Sequence, residues 1–177
     1  MNKLSIILLL LLCSIKLNAQ QFLGKNGEIS FFSEAPMEDI SAINNKVSAV
    51  FDSNTNDLVF QLNVIDFIFP KPLMQEHFNE NYLESDIYPT SVFEGKVIDA
   101  YIKEMGDVRV EGNLTIHGVT KKISVEGLLL QRDDVVSIKA DFVIRLKDYK
   151  IKIPKIVMYN IAEKIDISVN IELSKIK

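Results

Sequence analysis

The sequence predicts an all-β fold, an eight-stranded antiparallel β-barrel with one short helical insertion. Apolar and polar residues alternate with a period of two over most of the chain, as in GNLTIHGVTKKISVEG at 112–127, which is typical of strands with one buried and one solvent-facing side. Short polar or glycine-containing turns separate several neighbouring segments, which favours pairing of consecutive strands. Eight such strands favour an up-and-down barrel, because closure removes the exposed edges of an open sheet.

Residues 1–19 have the pattern of a cleavable signal peptide. A positive start containing Lys3 precedes an apolar run at 4–12, and Ala19 supplies the small residue before the expected cleavage. The apolar run is too short for a bilayer crossing, which takes ~20 residues. Cys13 raises the alternative of a lipoprotein, but Leu10-Leu11-Leu12 puts a bulky residue where a lipobox needs a small one. We therefore expect export to the periplasm.

Residues 20–177 form one predicted domain without cysteine, so disulfides, thiolate nucleophiles and cysteine-ligated metals are excluded after cleavage. Removal of Lys3 and Lys16 leaves 18 basic residues against 24 acidic ones, a net charge of −6. With no basic patch above this background, nucleic-acid binding is not expected. A chain of this length suffices for one well-formed core.

The predicted strands, in chain order, cover 28–34, 46–52, 57–69, 91–103, 107–117, 121–131, 135–147 and 164–174. The third strand changes phase between Val64 and Ile65, which predicts a bulge or a bend at a barrel corner. Asp66 follows that change, and we expect its carboxylate to face solvent rather than the interior. Strands of ten residues at ~3.3 Å each give a barrel roughly 30 Å tall.

A helical insertion is predicted at 73–88, between the third and fourth strands. Leu73, Met74, Phe78 and Tyr82 fall at helical spacing, and Pro72 precedes them where proline fits the first helical turn. We expect one or two short helices that cap or enter the barrel.

The inward stripes of the strands could be simple core or could line a ligand cavity, since an eight-stranded barrel can hold either a packed interior or one small ligand. The candidate ligand-lining residues are Phe60, Leu62, Val64, Phe93, Val97, Tyr101, Leu114, Ile116, Phe142, Ile144, Ile167 and Val169. Gly95, between Phe93 and Val97 on the same face, is expected to leave room for a ligand.

Polar candidates are few. His117, at the end of a strand, could contact a ligand head group at the barrel mouth or could anchor its own turn. His77 lies beside Glu76 and Glu80 but lacks the converging ligand set that a catalytic zinc needs. Arg145 could pair with Asp148 or meet an anionic head group. No G-x-S-x-G motif or glycine-rich phosphate loop occurs, so we predict no catalytic residues, no metal site and no cofactor.

Four ordered blocks resemble the YceI family of exported bacterial proteins. They are GEISFFSEAPMEDISAINNKV at 27–47, LMQEHFNENYLESDIYPTSVFEGKV at 73–97, GNLTIHGVTKKI at 112–123 and FVIRLKDYKIKIP at 142–154. The chain departs from the family pattern at Lys122, where many members carry proline. The resemblance implies a lipocalin-like barrel with a helical insertion, and some members hold a polyisoprenoid or similar amphiphile inside it.

The resemblance and the scarcity of chemical motifs together predict an exported, non-catalytic protein that holds an isoprenoid or other amphiphilic lipid in the barrel. Two alternatives stay open at this point: a structural or interaction barrel with a filled core, and an enzyme acting on a lipid in the cavity. The sequence leaves the oligomeric state, monomer or homodimer, undecided.

Overall fold

The computed structural model describes residues 20–34, 39–100, 106–152 and 162–176. The predicted signal peptide at 1–19 lies outside the described residues and stays a prediction. The strands are β1 (Gln21–Ser33), β2 (Ile40–Asp52), β3 (Asp57–Asn63), β4 (Thr90–Ala100), β5 (Asp107–Ile116), β6 (Val119–Arg132), β7 (Val135–Arg145) and β8 (Lys164–Lys175).

Each strand pairs antiparallel with its neighbour in sequence, and β8 pairs with β1, so the sheet closes into a barrel. The predicted fold class is therefore confirmed, including its up-and-down topology. β1 and β2 begin earlier than predicted, at Gln21 and Ile40, because their pairing continues past bulges at Gly24, Gly27 and Ile29.

The predicted end of the third strand is wrong. β3 stops at Asn63, and the change of phase is a single 3-10 turn at Val64–Asp66 rather than a bulge within a longer strand. The chain then forms one isolated bridge between Ile43 and Ile68. The buried Asn44 holds this corner, since its side-chain Nδ2 donates to the carbonyl oxygen of Asn63 at 2.9 Å.

The helical insertion is confirmed between β3 and β4. It consists of α1 (Pro72–His77), which continues into a π-helical turn at Phe78–Tyr82. Proline occupies the start of the helix, where its missing N–H costs nothing. The insertion, the β5–β6 turn and a 3-10 turn at Leu146–Tyr149 lie at one end of the barrel, called the mouth here; the opposite end is called the base.

The base is filled by a packed apolar cluster. Phe22, Leu58, Val136 and Leu173 are at most 2% exposed. The cluster consists of Phe22, Ala49, Phe51, Leu58, Val97, Val108, Val136, Ile138, Ile171 and Leu173. The interior is therefore closed at this end, and any ligand tail is restricted to the part nearer the mouth.

Gly95 and Gly112 face each other across β4 and β5, and the space above them is already filled. A Cβ atom added to Gly95 would lie 2.5 Å from Cζ of Phe93, and one added to Gly112 would lie 2.7 Å from the same atom. The expectation that Gly95 leaves room for a ligand is therefore wrong, since the Phe93 ring occupies that room.

We expect Gly112→Ala to destabilise the barrel by about 1–3 kcal/mol, the usual cost of overpacking a filled interior. The new Cβ would also lie 2.4 Å from the backbone oxygen of Glu94, which cannot move away as a side chain could. Urea unfolding followed by circular dichroism measures the effect. Ser124→Ala, on the exposed face of β6, is the control, and equal stability of both variants with the wild type would contradict the packing argument.

Candidate functional site

A cavity of about 420 Å³ lies at the mouth, between the strands and the helical insertion; it is called the mouth cavity here. Its walls are mostly aliphatic and aromatic side chains from the strands, the helical insertion and the turns near the mouth. They are Ile29, Phe31, Ser33, Ile40, Leu62, Val64, Phe67, Phe69, Met74, His77, Phe78, Tyr82, Leu83, Ser91, Leu114, Ile116, Phe142, Ile144, Leu146, Ile151, Ile165 and Ile167. Its volume falls in the range of ~300–1,000 Å³ typical of small-molecule sites.

Four phenylalanines form one wall of the mouth cavity. Phe31 on β1 contacts Phe67, Phe69 and Phe78, with ring centroids 5.4, 5.7 and 5.6 Å apart. The 3-10 turn at Val64–Asp66 puts Phe67 and Phe69 back on the inner side, so both halves of the phase-shifted segment face the interior. The cluster fixes the helical insertion to the barrel rim through Phe78.

A smaller cavity of about 110 Å³ lies deeper, bounded by residues such as Phe60, Phe93, Val110 and Val169. Ser91 and Leu114 line both cavities, so the two adjoin at mid-height. The hollow part of the barrel thus extends from the mouth to about the middle and ends on the packed base.

Most of the predicted ligand-lining residues border one of these cavities. Leu62, Val64, Leu114, Ile116, Phe142, Ile144 and Ile167 line the mouth cavity. Phe60, Phe93 and Val169 line the deeper one. Val97 instead lies in the base cluster, and Tyr101 is outside the described residues. Whether the lining residues contact a ligand stays a prediction.

Sequence reasoning missed the contribution of the helical insertion to the site. Met74, His77, Phe78, Tyr82 and Leu83 all line the mouth cavity. Their helical spacing predicted short helices at the barrel, but none of these residues was among the candidate ligand-lining residues, because spacing alone does not show which side chains border a cavity. His77 is exposed and still borders the cavity.

Polar groups on the cavity wall are sparse. Burial raises the pKa of the Tyr82 phenol, which therefore stays neutral at physiological pH. The Ser33 Oγ accepts a hydrogen bond from the Ala162 backbone N–H at 3.1 Å. Within the described ranges, no three His, Asp, Glu or Cys side chains converge on a position that could hold a metal ion.

His117 lies outside the cavity wall and joins three segments of the mouth. Its Nδ1 is 3.2 Å from the Tyr149 backbone oxygen and its Nε2 is 2.7 Å from Glu84 Oε2. The Tyr88 ring packs edge-on against the imidazole at 4.4 Å. The imidazole therefore connects the β5–β6 turn to the insertion and to the 3-10 turn after β7, while its predicted contact with a ligand head group stays a prediction.

Tyr149 is 2% exposed, and burial, with a smaller contribution from Asp148, raises the pKa of its phenol to about 12. A raised pKa favours the neutral form in the folded state. The stability it contributes is therefore complete below pH ~10 and is lost as pH rises from ~10 towards the folded value.

We expect the free energy of unfolding to fall by about 2 kcal/mol between pH 9 and 12 from this group alone. Tyr149→Phe should flatten that fall, since phenylalanine cannot ionise. Urea unfolding of both proteins across this pH range measures the difference. Identical pH profiles would show that Tyr149 is not a determinant of alkaline stability.

The remaining predicted polar groups lie on the outer surface. Asp66 faces outward as expected, where Lys46 Nζ donates to its Oδ1 at 2.7 Å and Asn63 Nδ2 to its Oδ2 at 3.1 Å. The hydrogen bonds from Lys46 and Asn63 lower the pKa of the Asp66 carboxyl. Arg145 and Asp148 are both exposed, and no ion pair joins these two described side chains, so the predicted pairing is not formed.

A larger depression of about 850 Å³ lies on the outer rim, over the mouth ends of β1, β2, β7 and β8. It is broad and open, and Ser30, Asp141, Asp166 and Ser168 contribute polar groups to it. We favour the mouth cavity as the candidate site because it is more enclosed and more apolar, and enclosure determines how much ligand surface is removed from water.

Known proteins resemble both the sequence and the fold. A sequence model of the YceI-like domain matches residues 17–173. No curated protein matches the sequence. Among the helices of the described residues, none has the length and apolar character to cross a membrane.

Three solved structures illustrate the likeness in fold. BcnA from Burkholderia cenocepacia has a TM-score of 0.72 at 15% identity, over 82% of this chain and 95% of its own. A polyisoprenoid-binding domain from Saccharophagus degradans, implicated in plant cell wall breakdown, has a TM-score of 0.74 at 11% identity, over 90% and 100%. The Campylobacter jejuni YCEI protein has a TM-score of 0.57 at 20% identity, over 76% and 83%.

Proposed function

The chain belongs to the YceI-like domain family, and we propose that it binds an isoprenoid or other amphiphilic lipid non-covalently, with the apolar tail in the mouth cavity. The observation that carries this proposal is the cavity of about 420 Å³ with its mostly apolar wall. The structural likeness to a polyisoprenoid-binding domain supports the same ligand class.

Burial of the tail supplies the binding free energy, at roughly 25 cal/mol per Å² of apolar surface removed from water. The packed base limits how deep the tail can reach, so the upper half of the barrel, roughly 15 Å of strand length, holds it. The ordering of a flexible tail opposes binding, and the aromatic wall of Phe31, Phe67 and Phe78 reduces that cost by being in place beforehand.

Export through the signal peptide at 1–19 and a non-catalytic role are parts of the same proposal. A carrier needs a cavity that shields the tail and few groups that react with it. The described cavity wall fits this need, because most of its side chains are apolar. Those that carry polar atoms are Ser33, His77, Tyr82 and Ser91.

Native mass spectrometry of the protein secreted from its full-length precursor tests these proposals together. We expect a polypeptide mass that begins at Gln20 and an additional mass that organic extraction releases as an isoprenoid or fatty compound. The purified apo form should also take up farnesol, a soluble isoprenoid alcohol, at one molecule per chain. An apo mass that farnesol does not change would contradict lipid binding, and a retained residue 1–19 segment would contradict cleavage and export.

A further inference from the structure

The ladder between β6 and β7 is incomplete. It covers 127–132 of β6 and 135–140 of β7 and stops at the pair Gly127 and Ala140. Beyond this point β6 pairs only with β5, from Asp107 with Leu128 to Ile116 with Val119, and β7 pairs only with β8. The space between residues 119–126 of β6 and 141–145 of β7 is called the β6–β7 slot here, and it lies in the mouth half of the barrel.

The charge pattern of the two strands explains why they separate. If the pairing continued in the same register, Glu126 would lie opposite Asp141 and Lys122 opposite Arg145. Like charges directly across a strand pair destabilise it. The other break in the mouth half, between β2 and β3, is bridged by the Ile43–Ile68 pair and by the Lys46–Asp66 ion pair.

Lys121 lies on the inner face of β6 at this slot. It pairs across the ladder with Leu114, which is buried and lines both cavities, and directly paired residues of an antiparallel ladder project to the same side. Its neighbours in phase, Ile123 and Val125, line the deeper cavity. A lysine therefore occupies the inward phase of an otherwise apolar stripe.

Within the described part of the chain, the side-chain ammonium of Lys121 has no ion-pair or hydrogen-bond partner, and the residue is exposed. The adjacent Lys122 is also exposed, but it projects outward and its Nζ lies 3.3 Å from Glu111 Oε2. Lys121 does not itself line either cavity, but its ladder partner Leu114 lines both. Its exposed ammonium is solvated, and an anion attached to a tail that passes Leu114 could replace that water.

We propose that the amphiphile held in the mouth cavity carries an anionic head group, a phosphate or a carboxylate, which lies in the β6–β7 slot against Lys121. The inference rests on the proposed function and specifies its ligand. It places the head group at the side of the barrel rather than at His117, whose ring nitrogens already face Glu84 and Tyr149.

The proposal is tested with farnesyl phosphate and farnesol, which share one tail and differ in the charge of the head group. Binding of each ligand is measured by displacement of the fluorescent apolar dye N-phenyl-1-naphthylamine. We expect farnesyl phosphate to bind the wild type about tenfold more tightly than farnesol, as expected for one charge-assisted contact. Lys121→Met should remove this preference without weakening farnesol, and Lys121→Arg should retain it. Inorganic phosphate alone should not displace the dye.

Lys122→Met is the matched control, because it removes a charge from the adjacent residue on the outer face. Equal binding of the two ligands by the wild type would overturn the anionic head group and leave the proposed function intact. If Lys121→Met and Lys122→Met lost the preference for farnesyl phosphate equally, that preference would come from general surface charge, and the proposal would also be overturned. Failure of both ligands to displace the dye would instead contradict lipid binding itself.

Hydrogen exchange tests the slot independently of any ligand. In the wild type, the amides of 119–126 that do not face β5 should exchange much faster than those bonded to β5, because they lack a strand partner. Equal protection of both sets would show that the slot is closed in solution and would overturn the proposal.

Discussion

Ser91→Phe is expected to reduce farnesol affinity by at least about tenfold, equivalent to about 1.4 kcal/mol, while leaving the barrel folded. Ser91 lies on the inner face of β4 opposite Leu62, at the junction of the mouth cavity and the deeper cavity. A phenyl ring there occupies space that the ligand tail needs. Titration with the displaced dye and thermal unfolding of the apo protein measure the two effects.

The apo protein should be at least as stable after this substitution, because the ring buries apolar surface in a cavity that is otherwise empty of protein atoms. Ser91→Ala is the control, since it removes the same hydroxyl without filling the space and should bind farnesol like the wild type. Wild-type affinity in the Ser91→Phe variant would place the tail elsewhere and argue against the mouth cavity as the site.

Leu173→Ala is expected to have the largest effect on stability. Leu173 has no exposed surface and lies in the base cluster between residues such as Phe22 and Val136. Removal of a buried leucine side chain from a packed core costs about 2.7–5 kcal/mol, with the higher values where the surroundings cannot collapse. Closure of the sheet restricts such collapse, so we expect a loss of about 4 kcal/mol in urea unfolding.

Leu114→Ala provides the comparison, because Leu114 is nearly as buried but borders both cavities. Its surroundings are incompletely packed already, so fewer contacts are lost and a cost near the lower end of the range is expected. Leu173→Ala should leave farnesol affinity within about twofold, since the base does not border the mouth cavity. Equal destabilisation by the two substitutions would contradict a packed base and a hollow mouth.

The predicted strands agree closely with the observed ones wherever alternation is regular. β7 and β8 begin at Val135 and Lys164, as predicted, and the turn residues Asp133 and Gly118 adopt the positive φ angles of tight hairpins. These features depend on a few neighbouring residues, so sequence alone is sufficient to find them.

The interior was predictable only as a set of inward positions. Val97 and Leu114 belong to the same kind of stripe, yet Val97 packs in the base and Leu114 borders both cavities. Gly95 illustrates the same limit, since the ring of Phe93 fills the space that its missing side chain leaves. Whether an inward position lies in a packed core or beside a cavity depends on the total volume of the side chains that all eight strands place at that height of the barrel. No single strand contains that information.

The sequence by itself determined the number of strands, their antiparallel order, the helical insertion and the apolar character of the interior, because backbone pleating and turn chemistry are local. Only the tertiary structure decided that the base is packed, that the insertion forms part of the cavity wall, and that β6 and β7 separate beside Lys121. These outcomes depend on the register between strands. The register determines whether Glu126 would lie opposite Asp141. It also determines whether Lys121, in an otherwise apolar stripe, projects into a closed core or an open slot.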